Sequence, residues 1–201
     1  FAFLVIDLSD RKIIEIFLNL EQLGIYTVAY SFGMIAILIT DAFSSTWTPF
    51  FSSFIKKQKA ANEIFPSILE FYILLILLVS LMFFFFSKPL IYFMTDKSYH
   101  AGYKVVGLIA FSYLIKGVYH IFLPGIYFKK KLYLMSLIEW TSAIFNILLN
   151  FLLIPLMGIV GAAIATTLSY LTLCFITYHC SKGYLFIKYR WKNIFSNLFL
   201  A

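Results

Sequence analysis

The chain has 201 residues, of which 62% are hydrophobic, 20% aromatic and only 12% charged. An average soluble domain is about half apolar and about a quarter charged, so a single water-exposed domain could not bury this much apolar surface. The net charge of +7 does not indicate nucleic-acid binding, because the basic residues lie between apolar runs, as they do in membrane proteins.

Six apolar segments alternate with more polar stretches along the chain. A helix needs about 20 mostly apolar residues to cross a bilayer, and most of the segments reach that length. They predict an all-α, polytopic bundle of about six transmembrane helices, and residues 194–201 predict the start of a seventh. The six predicted segments are 1–20, 25–54, 68–86, 101–128, 132–154 and 159–179.

Glycine and proline predict where several of these helices end. Leu23 and Gly24 are expected to separate the first helix from the second. Pro155 is expected to end the fifth, because proline has no amide hydrogen and its ring clashes with the preceding turn. Gly158 would then let the chain reverse into the sixth at little steric cost. The longest loop is expected over residues 87–100.

The basic residues divide the connecting segments into two sets. Residues 56–59, 129–131 and 182–192 contain ten of the sixteen Lys and Arg residues, whereas the connections on the opposite side contain only Lys88 and Lys97. Cytoplasmic loops of membrane proteins carry an excess of Lys and Arg. The three basic segments are therefore predicted to be cytoplasmic, and the function is expected to lie among the helices.

Charged residues interrupt the first apolar segment. Asp7, Arg11 and Glu15 follow one another at intervals of four residues, which places them on one helix face. A charged side chain in mid-bilayer costs roughly 2.5 to 3.5 kcal/mol, so such residues usually face protein or water. Two interpretations remain open: the three charges neutralise one another, or they line the wall of a charged cavity.

A polar stripe is predicted on the second helix. Asp41, Ser45 and Thr48 lie at helical spacing together with Thr27 and Tyr30. A hydroxylated face with one carboxylate suits a hydrated pathway, and it equally suits helix packing through Ser and Thr.

The fourth segment places Lys116 and His120 on one face, deep in an apolar run. An unpaired ammonium group at this depth would be costly. Lys116 is therefore expected either to pair with an acid such as Glu139 or Asp41, or to contact an anionic ligand. The two alternatives are compatible if the ion pair opens.

A third polar stripe lies on the fifth helix, where Glu139, Asn146 and Asn150 fall within about 40° of one line. Asn is poorly suited to lipid contact, so the stripe is predicted to face protein or water, for structural hydrogen bonding or for cavity lining. The sequence contains no metal-ligand, nucleotide-binding or nucleophile motif. We therefore expect no metal, no cofactor and no enzymatic activity.

Three groups of short motifs occur in order along the chain. In this order and spacing they resemble the second half of polysaccharide flippases of the O-antigen type, within the MATE-like superfamily that includes the multidrug and toxic-compound exporters. The motifs are Asp10-Arg11 with GIYTVAY at 24–30, WTPF at 47–50, and NILLN at 146–150 followed by IP at 154–155 and GIVGAAIAT at 158–166.

The resemblance implies a transporter of the bacterial inner membrane built from two helical bundles. Residues 1–181 would form the second bundle, with 66–181 resembling the C-terminal region of polysaccharide biosynthesis proteins. Residues 182–201 would be a basic cytoplasmic connector and the start of a further span. Because the chain begins at Phe1 within an apolar run, we expect it to be a piece of a longer protein, whose N-terminal bundle would be its partner.

The implied substrate is an oligosaccharide linked to undecaprenyl pyrophosphate, which such flippases move to the outer leaflet by alternating access for surface polysaccharides such as the O-antigen of lipopolysaccharide. Cations would meet the pyrophosphate, amides and hydroxyls would meet the sugars, and carboxylates would release the cations or carry a coupling H⁺ or Na⁺. The candidate substrate-binding residues are Arg11, Lys116, His120, Asn146, Asn150, Ser45 and Thr48. The candidate coupling or charge-pairing residues are Asp7, Asp10, Asp41 and Glu139.

Two alternatives remain. An exporter of a different substrate would share this architecture, but it should favour carboxylates and aromatic residues over intramembrane cations such as Arg11 and Lys116. A membrane-embedded glycan polymerase or acyltransferase would be expected to carry a large exterior loop. The predicted function is therefore a lipid-linked glycan flippase, surrounded by membrane lipids and without a nucleic-acid partner.

Overall fold

A computed structural model describes residues 2–189, and this part of the chain consists of helices joined by short turns, with no β-strand in it. Two 3₁₀ turns, Met34–Ala36 and Lys97–Gly102, interrupt the α-helical segments. The α-helices are α1 Ala2–Phe17, α2 Leu20–Gly33, α3 Ile37–Ser52, α4 Gln58–Met94, α5 Tyr103–Phe122, α6 Pro124–Phe128, α7 Tyr133–Met157 and α8 Ile159–Lys182.

The helices confirm the predicted all-α, multi-pass architecture. Some of these helices follow one another without a break, so the described residues form six helical segments. Five of the six are long and apolar enough to span a membrane. The sixth is α1, which has 16 residues and carries charged side chains. The predicted start of a seventh span at 194–201, with Arg190 and Lys192 of the basic connector, lies outside the described residues. The five spans are Leu20–Ser52, Gln58–Met94, Lys97–Phe128, Tyr133–Met157 and Ile159–Lys182.

The hairpin between α7 and α8 is tighter than predicted. Pro155 does not end α7, which continues to Met157. The reversal takes place at one residue, Gly158, with φ 61° and ψ −142°. The amide of Gly158 donates to the carbonyl of Ile154 at 2.8 Å, so the last turn keeps its backbone hydrogen bonding after the proline. In lipid every backbone group needs an internal partner, which favours continuing a helix through a proline.

The prediction of a long loop over residues 87–100 is also wrong, because here too a helix continues through a proline. Helix α4 passes through Pro66 and Pro89 and ends only at Met94. The 3₁₀ turn that begins at Lys97 follows almost at once. The apolar residues after Pro89 extend the helix, and only two residues separate it from the next helical turn.

The first two helices separate earlier than predicted. The break lies at Leu18 and Asn19, and α2 runs unbroken through Gly24. Asn19 caps α2: its backbone is extended, and its side-chain oxygen accepts a hydrogen bond from the Gln22 amide at 2.8 Å. Capping satisfies an amide that would otherwise lack a partner at the helix start, and this outweighs the weak helix propensity of a single glycine.

Helix α5 is the centre of the bundle. It packs against α8, α4, α2 and α3, while α7 packs against α8 and α1. The interface of α7 with α8 uses the strip of small residues on α8, in which Ala162, Ala165 and Ser169 are buried. Ser142 of α7 donates to the Ser169 carbonyl at 2.6 Å across this interface. Small residues let membrane helices approach closely, and this packing fixes α7 beside α1.

Candidate functional site

A set of polar side chains, here called the polar seam, lies between α1, α2, α5, α7 and α8. It contains two carboxylates and a serine of α1, three buried tyrosines, and amide or hydroxyl groups of α7 and α8. Its members form two hydrogen-bonded groups, one around Asp10 and one around Asp7, and the rings of Tyr26 and Tyr30 pack together with centroids 5.6 Å apart. The members are Asp7, Ser9, Asp10, Tyr26, Tyr30, Tyr113, Asn146, Asn150 and Thr166.

Asp10 is the fully buried carboxylate of the seam. It accepts hydrogen bonds from the Tyr26 hydroxyl at 2.9 Å, the Thr166 hydroxyl at 2.8 Å and Nδ2 of Asn150 at 2.5 Å. Burying a carboxylate is expensive unless hydrogen bonds compensate for the lost water. Three donors from α2, α7 and α8 supply that compensation, and Asp10 thereby ties four helices together.

The two asparagines of α7 confirm the prediction that their stripe faces protein. Both are fully buried. Oδ1 of Asn146 accepts from Nδ2 of Asn150 at 3.0 Å and from the Ser9 hydroxyl at 3.1 Å. Nδ2 of Asn146 and Oδ1 of Asn150 have no hydrogen-bond partner within residues 2–189. Buried polar groups are normally satisfied, so these two atoms are exceptions in the polar seam.

Asp7 is the second carboxylate of the seam, and it lies between two tyrosines. Its Oδ1 accepts from the Tyr30 hydroxyl at 2.7 Å and from the Tyr113 hydroxyl at 3.1 Å. The two hydroxyl oxygens are 2.6 Å apart. Both tyrosines are buried, whereas Asp7 is half-buried. Asp7 therefore joins α1 to α2 and α5.

Arg11 is half-buried and has no acidic partner among residues 2–189. Its Cζ lies 5.2 Å from the centroid of the Tyr30 ring, and its Nε is buried without a hydrogen-bond partner in the described residues. The prediction that Asp7 or Glu15 neutralises Arg11 is wrong, because neither carboxylate forms an ion pair with Arg11. Asp7 is taken by tyrosine hydroxyls, and Glu15 pairs with Lys12 at 2.8 Å, which is the single ion pair among residues 2–189.

Lys116 is a second half-buried cation, and it forms no ion pair with the residues that the structure describes. Its Nζ lies 4.0 Å from the centroid of Phe3 and 6.0 Å from those of Tyr113 and Tyr170. Such distances allow cation–π attraction. The Tyr170 hydroxyl is buried without a partner in the part of the chain that is described. Lys116 thus sits among aromatic rings, on the α5 turn that follows Tyr113.

The predicted pairing of Lys116 with Glu139 or Asp41 is not formed in the described part of the chain. Glu139 accepts a hydrogen bond from the Tyr119 hydroxyl at 2.8 Å instead. Asp41 is exposed on α3.

His120 lies one helical turn beyond Lys116 and is also half-buried. Its ring packs edge-on against Tyr119, with centroids 5.2 Å apart. The indole of Trp47 donates to the His120 carbonyl at 2.8 Å, which ties α3 to this turn of α5. The contacts of His120 are therefore with Tyr119 and Trp47, and its role beside Lys116 stays a prediction.

Ser45 and Thr48 do not join the polar seam. Their hydroxyls donate to carbonyls of their own helix, those of Ala42 and Ser44, at 2.9 and 3.0 Å. The single stripe predicted from Thr27 to Thr48 is wrong, because the 3₁₀ turn at Met34–Ala36 changes the rotation per residue. Upstream of that turn Tyr30 is buried, whereas downstream Asp41 and Ser45 are exposed.

The sequence reasoning missed several members of the site. Tyr26, Tyr30 and Tyr170 were not singled out for binding, and neither was Thr166. Tyr26 and Tyr30 are four residues apart and thus share a helix face, which was the one available signal. The described residues contain no group of three or more His, Cys, Asp or Glu that could hold a metal ion.

Comparisons with known proteins place the chain in a family. The model of a family described as "Polysaccharide biosynthesis protein" matches residues 2–104, which include both seam carboxylates, Arg11 and the tyrosines of α2. The chain is 26% identical over 192 residues to the "probable low-salt glycan biosynthesis flippase Agl15" of Haloferax volcanii. That alignment covers 92% of this chain and 40% of the relative, so the chain spans about two fifths of the relative's length. No solved structure matches the chain.

Proposed function

Because the chain belongs to the polysaccharide biosynthesis protein family, we propose that it forms part of a flippase that carries a lipid-linked oligosaccharide between membrane leaflets. The relative from Haloferax volcanii is named as a glycan biosynthesis flippase, which supports this role. The proposal includes alternating access, an undecaprenyl-pyrophosphate carrier and a bacterial cytoplasmic membrane. We further propose that the transported glycan is used for an O-antigen-like surface polysaccharide. Residues 1–181 would form the second of two helical bundles.

The observation that carries the proposal is the pair of unneutralised cations inside an apolar bundle. Arg11 and Lys116 are half-buried, and neither makes an ion pair within the described chain. Keeping an unpaired charge away from bulk water is expensive. A pyrophosphate supplies the missing negative charge, because Arg can bind phosphate oxygens in a bidentate way and Lys acts as a compact point charge. His120 adds a titratable group beside Lys116.

The sugar moiety would meet polar atoms of the bundle that lack hydrogen-bond partners. Nδ2 of Asn146, Oδ1 of Asn150 and the Tyr170 hydroxyl are buried without partners in the described chain. Together they offer donors and acceptors of the kind that sugar hydroxyls need. Ser45 and Thr48 would contribute only acceptor lone pairs, since their protons are directed to backbone carbonyls.

A coupling ion would act on Asp10. All three of its hydrogen bonds are donated to the carboxylate by neutral groups. A proton on Asp10 would remove its charge and weaken the hydrogen bonds that the carboxylate now accepts. Na⁺ would compete with the same donors for the carboxylate lone pairs. Either ion at Asp10 would therefore weaken the contacts that hold α1 to α2, α7 and α8. Asp7, Asp41 and Glu139 are the remaining candidates for this role.

The proposal is tested by complementing a strain that lacks its own flippase with the full-length gene. We expect complementation by the wild type, loss of transport in Lys116→Ala, and partial retention in Lys116→Arg, which preserves the charge. Lys104→Ala is the matched control, because Lys104 is an exposed lysine of the same helix. Continued accumulation of lipid-linked glycan with well-expressed wild type would overturn the flippase assignment. Full transport by Lys116→Ala would remove Lys116 from the substrate site.

A further inference from the structure

Asp7 is placed where it should neutralise a cation, yet it does not. It precedes Arg11 by four residues on α1, a spacing at which opposite charges commonly pair. Lys116 approaches the same region, since its Nζ lies 6.0 Å from the ring centroid of Tyr113, which donates to Asp7. Even so, neither cation makes an ion pair with it. Its Oδ1 is instead held by the hydroxyls of Tyr30 and Tyr113, at 2.7 and 3.1 Å.

The same two tyrosines also contact the two cations. Arg11 lies over the Tyr30 ring, with Cζ 5.2 Å from its centroid, and Nζ of Lys116 lies 6.0 Å from the centroid of Tyr113. Each tyrosine therefore meets the acid with its hydroxyl edge and a cation with its ring face. A phenol can do both, because its hydroxyl donates a proton and its π face attracts positive charge.

We propose that Tyr30 and Tyr113 are positioning residues that hold the Asp7 carboxylate away from Arg11 and Lys116, so that both cations stay available to a pyrophosphate. This inference rests on the proposed function and deepens it by assigning the residues that control the charge of the headgroup site. The tyrosines do not touch the substrate in this role. They act by satisfying an acid that would otherwise compete with the substrate for the same cations.

The geometry makes the restraint firm. Tyr30 and Tyr113 are almost completely buried, and their hydroxyl oxygens are only 2.6 Å apart. Their rings meet edge to face, with centroids 6.0 Å apart. Neither ring can rotate without disturbing α2, α5 or both, so Asp7 keeps its two donors as long as these helices stay packed.

The test uses the full-length protein in detergent, with farnesyl pyrophosphate as the probe of headgroup binding. The variant Tyr30→Phe/Tyr113→Phe keeps the rings and removes both donors to Asp7. We expect its affinity to fall by about tenfold or more, because a carboxylate that loses two hydrogen bonds turns to a nearby cation. Adding Asp7→Asn to this variant removes the competing charge, and we expect it to restore wild-type affinity.

Tyr72→Phe is the matched control, because Tyr72 is a buried tyrosine outside the polar seam, whose hydroxyl donates to the Leu114 carbonyl at 3.2 Å and not to Asp7. Its affinity for the probe should remain within about threefold of the wild type, a difference of less than 1 kcal/mol. A merely structural role for the tyrosines would produce the loss of affinity without rescue by Asp7→Asn. Absence of rescue, or unchanged binding by the double Phe variant, would therefore overturn the inference.

Different binding results would refute the proposed function itself. If the wild type does not bind farnesyl pyrophosphate, or if Lys116→Ala binds it equally well, the cation site itself is refuted, and the inference falls with it. If binding depends on Lys116 and is insensitive to the two tyrosine hydroxyls, the headgroup site stands and only the positioning role is lost.

Discussion

Removing the hydroxyl of Tyr26 tests how the buried carboxylate of Asp10 is stabilised. Tyr26→Phe removes one oxygen and leaves the ring, which is fully buried, in place. A hydrogen bond to a charged group contributes about 1.5 to 3 kcal/mol, whereas interhelical hydrogen bonds in a membrane protein average about 0.6 kcal/mol. Because Asp10 is fully buried and depends on three neutral donors, we expect the larger effect. The free energy of unfolding should fall by about 1.5 to 3 kcal/mol.

The measurement is thermal or denaturant-induced unfolding of the full-length protein in detergent. Tyr170→Phe is the control, since it removes a buried hydroxyl that has no partner within residues 2–189, and we expect no loss of stability. A decrease in Tyr26→Phe of about 0.6 kcal/mol or less would place this bond among ordinary interhelical hydrogen bonds. It would refute the view that Asp10 is held as a charged group.

Two glycines give further tests of the fold. Gly158→Ala should destabilise the protein by about 1 to 3 kcal/mol, because φ 61° with ψ −142° is a conformation that residues other than glycine rarely adopt; unfolding at the wild-type temperature would contradict this turn. Gly33→Ala would place a methyl group 2.7 Å from Cβ of Ile109 and should force α2 away from α5, at a cost of about 1 to 3 kcal/mol. Gly24→Ala, which meets only ordinary contacts, is its control, and equal stability of the two variants would argue against close packing at Gly33.

Hydropathy predicted the number and order of the helical segments well and their ends poorly. The apolar runs fix which residues can lie in lipid, and this information is contained in the sequence itself. The breaks depend on competition between local signals. Pro155 and Pro89 are strong helix breakers in water, but in lipid an interrupted backbone costs more than a proline. The break falls at Leu18 and Asn19 because the Asn19 side chain can cap the start of α2, which glycine at position 24 cannot do.

The candidate site was predicted only in part. The asparagine stripe of α7 was identified, because an amide facing lipid would be expensive at any position of the helix. The partners of Asp7 and Asp10 were not, since their tyrosine donors are as far as 106 residues away in sequence. The periodicity of a helix relates residues a few turns apart, so it cannot indicate contacts between residues this far apart in sequence. The ion pairs expected for Arg11 and Lys116 failed in part for a related reason: tyrosine hydroxyls from other helices hold Asp7 and Glu139. Of the other two acids, Glu15 pairs with Lys12 and Asp41 is exposed.

The central claim is that Lys116 lies in a water-accessible cavity and not in lipid. The direct measurement is the reaction of Lys116→Cys with a membrane-impermeant methanethiosulfonate, in full-length protein whose Cys174 and Cys180 have been replaced by alanine. Leu148→Cys is the control, because Leu148 lies on the outer surface of α7 with 61% of its area exposed. We predict rapid modification at position 116, protection by farnesyl pyrophosphate, and little reaction at position 148. Modification at position 116 that is no faster than at position 148 would contradict the account.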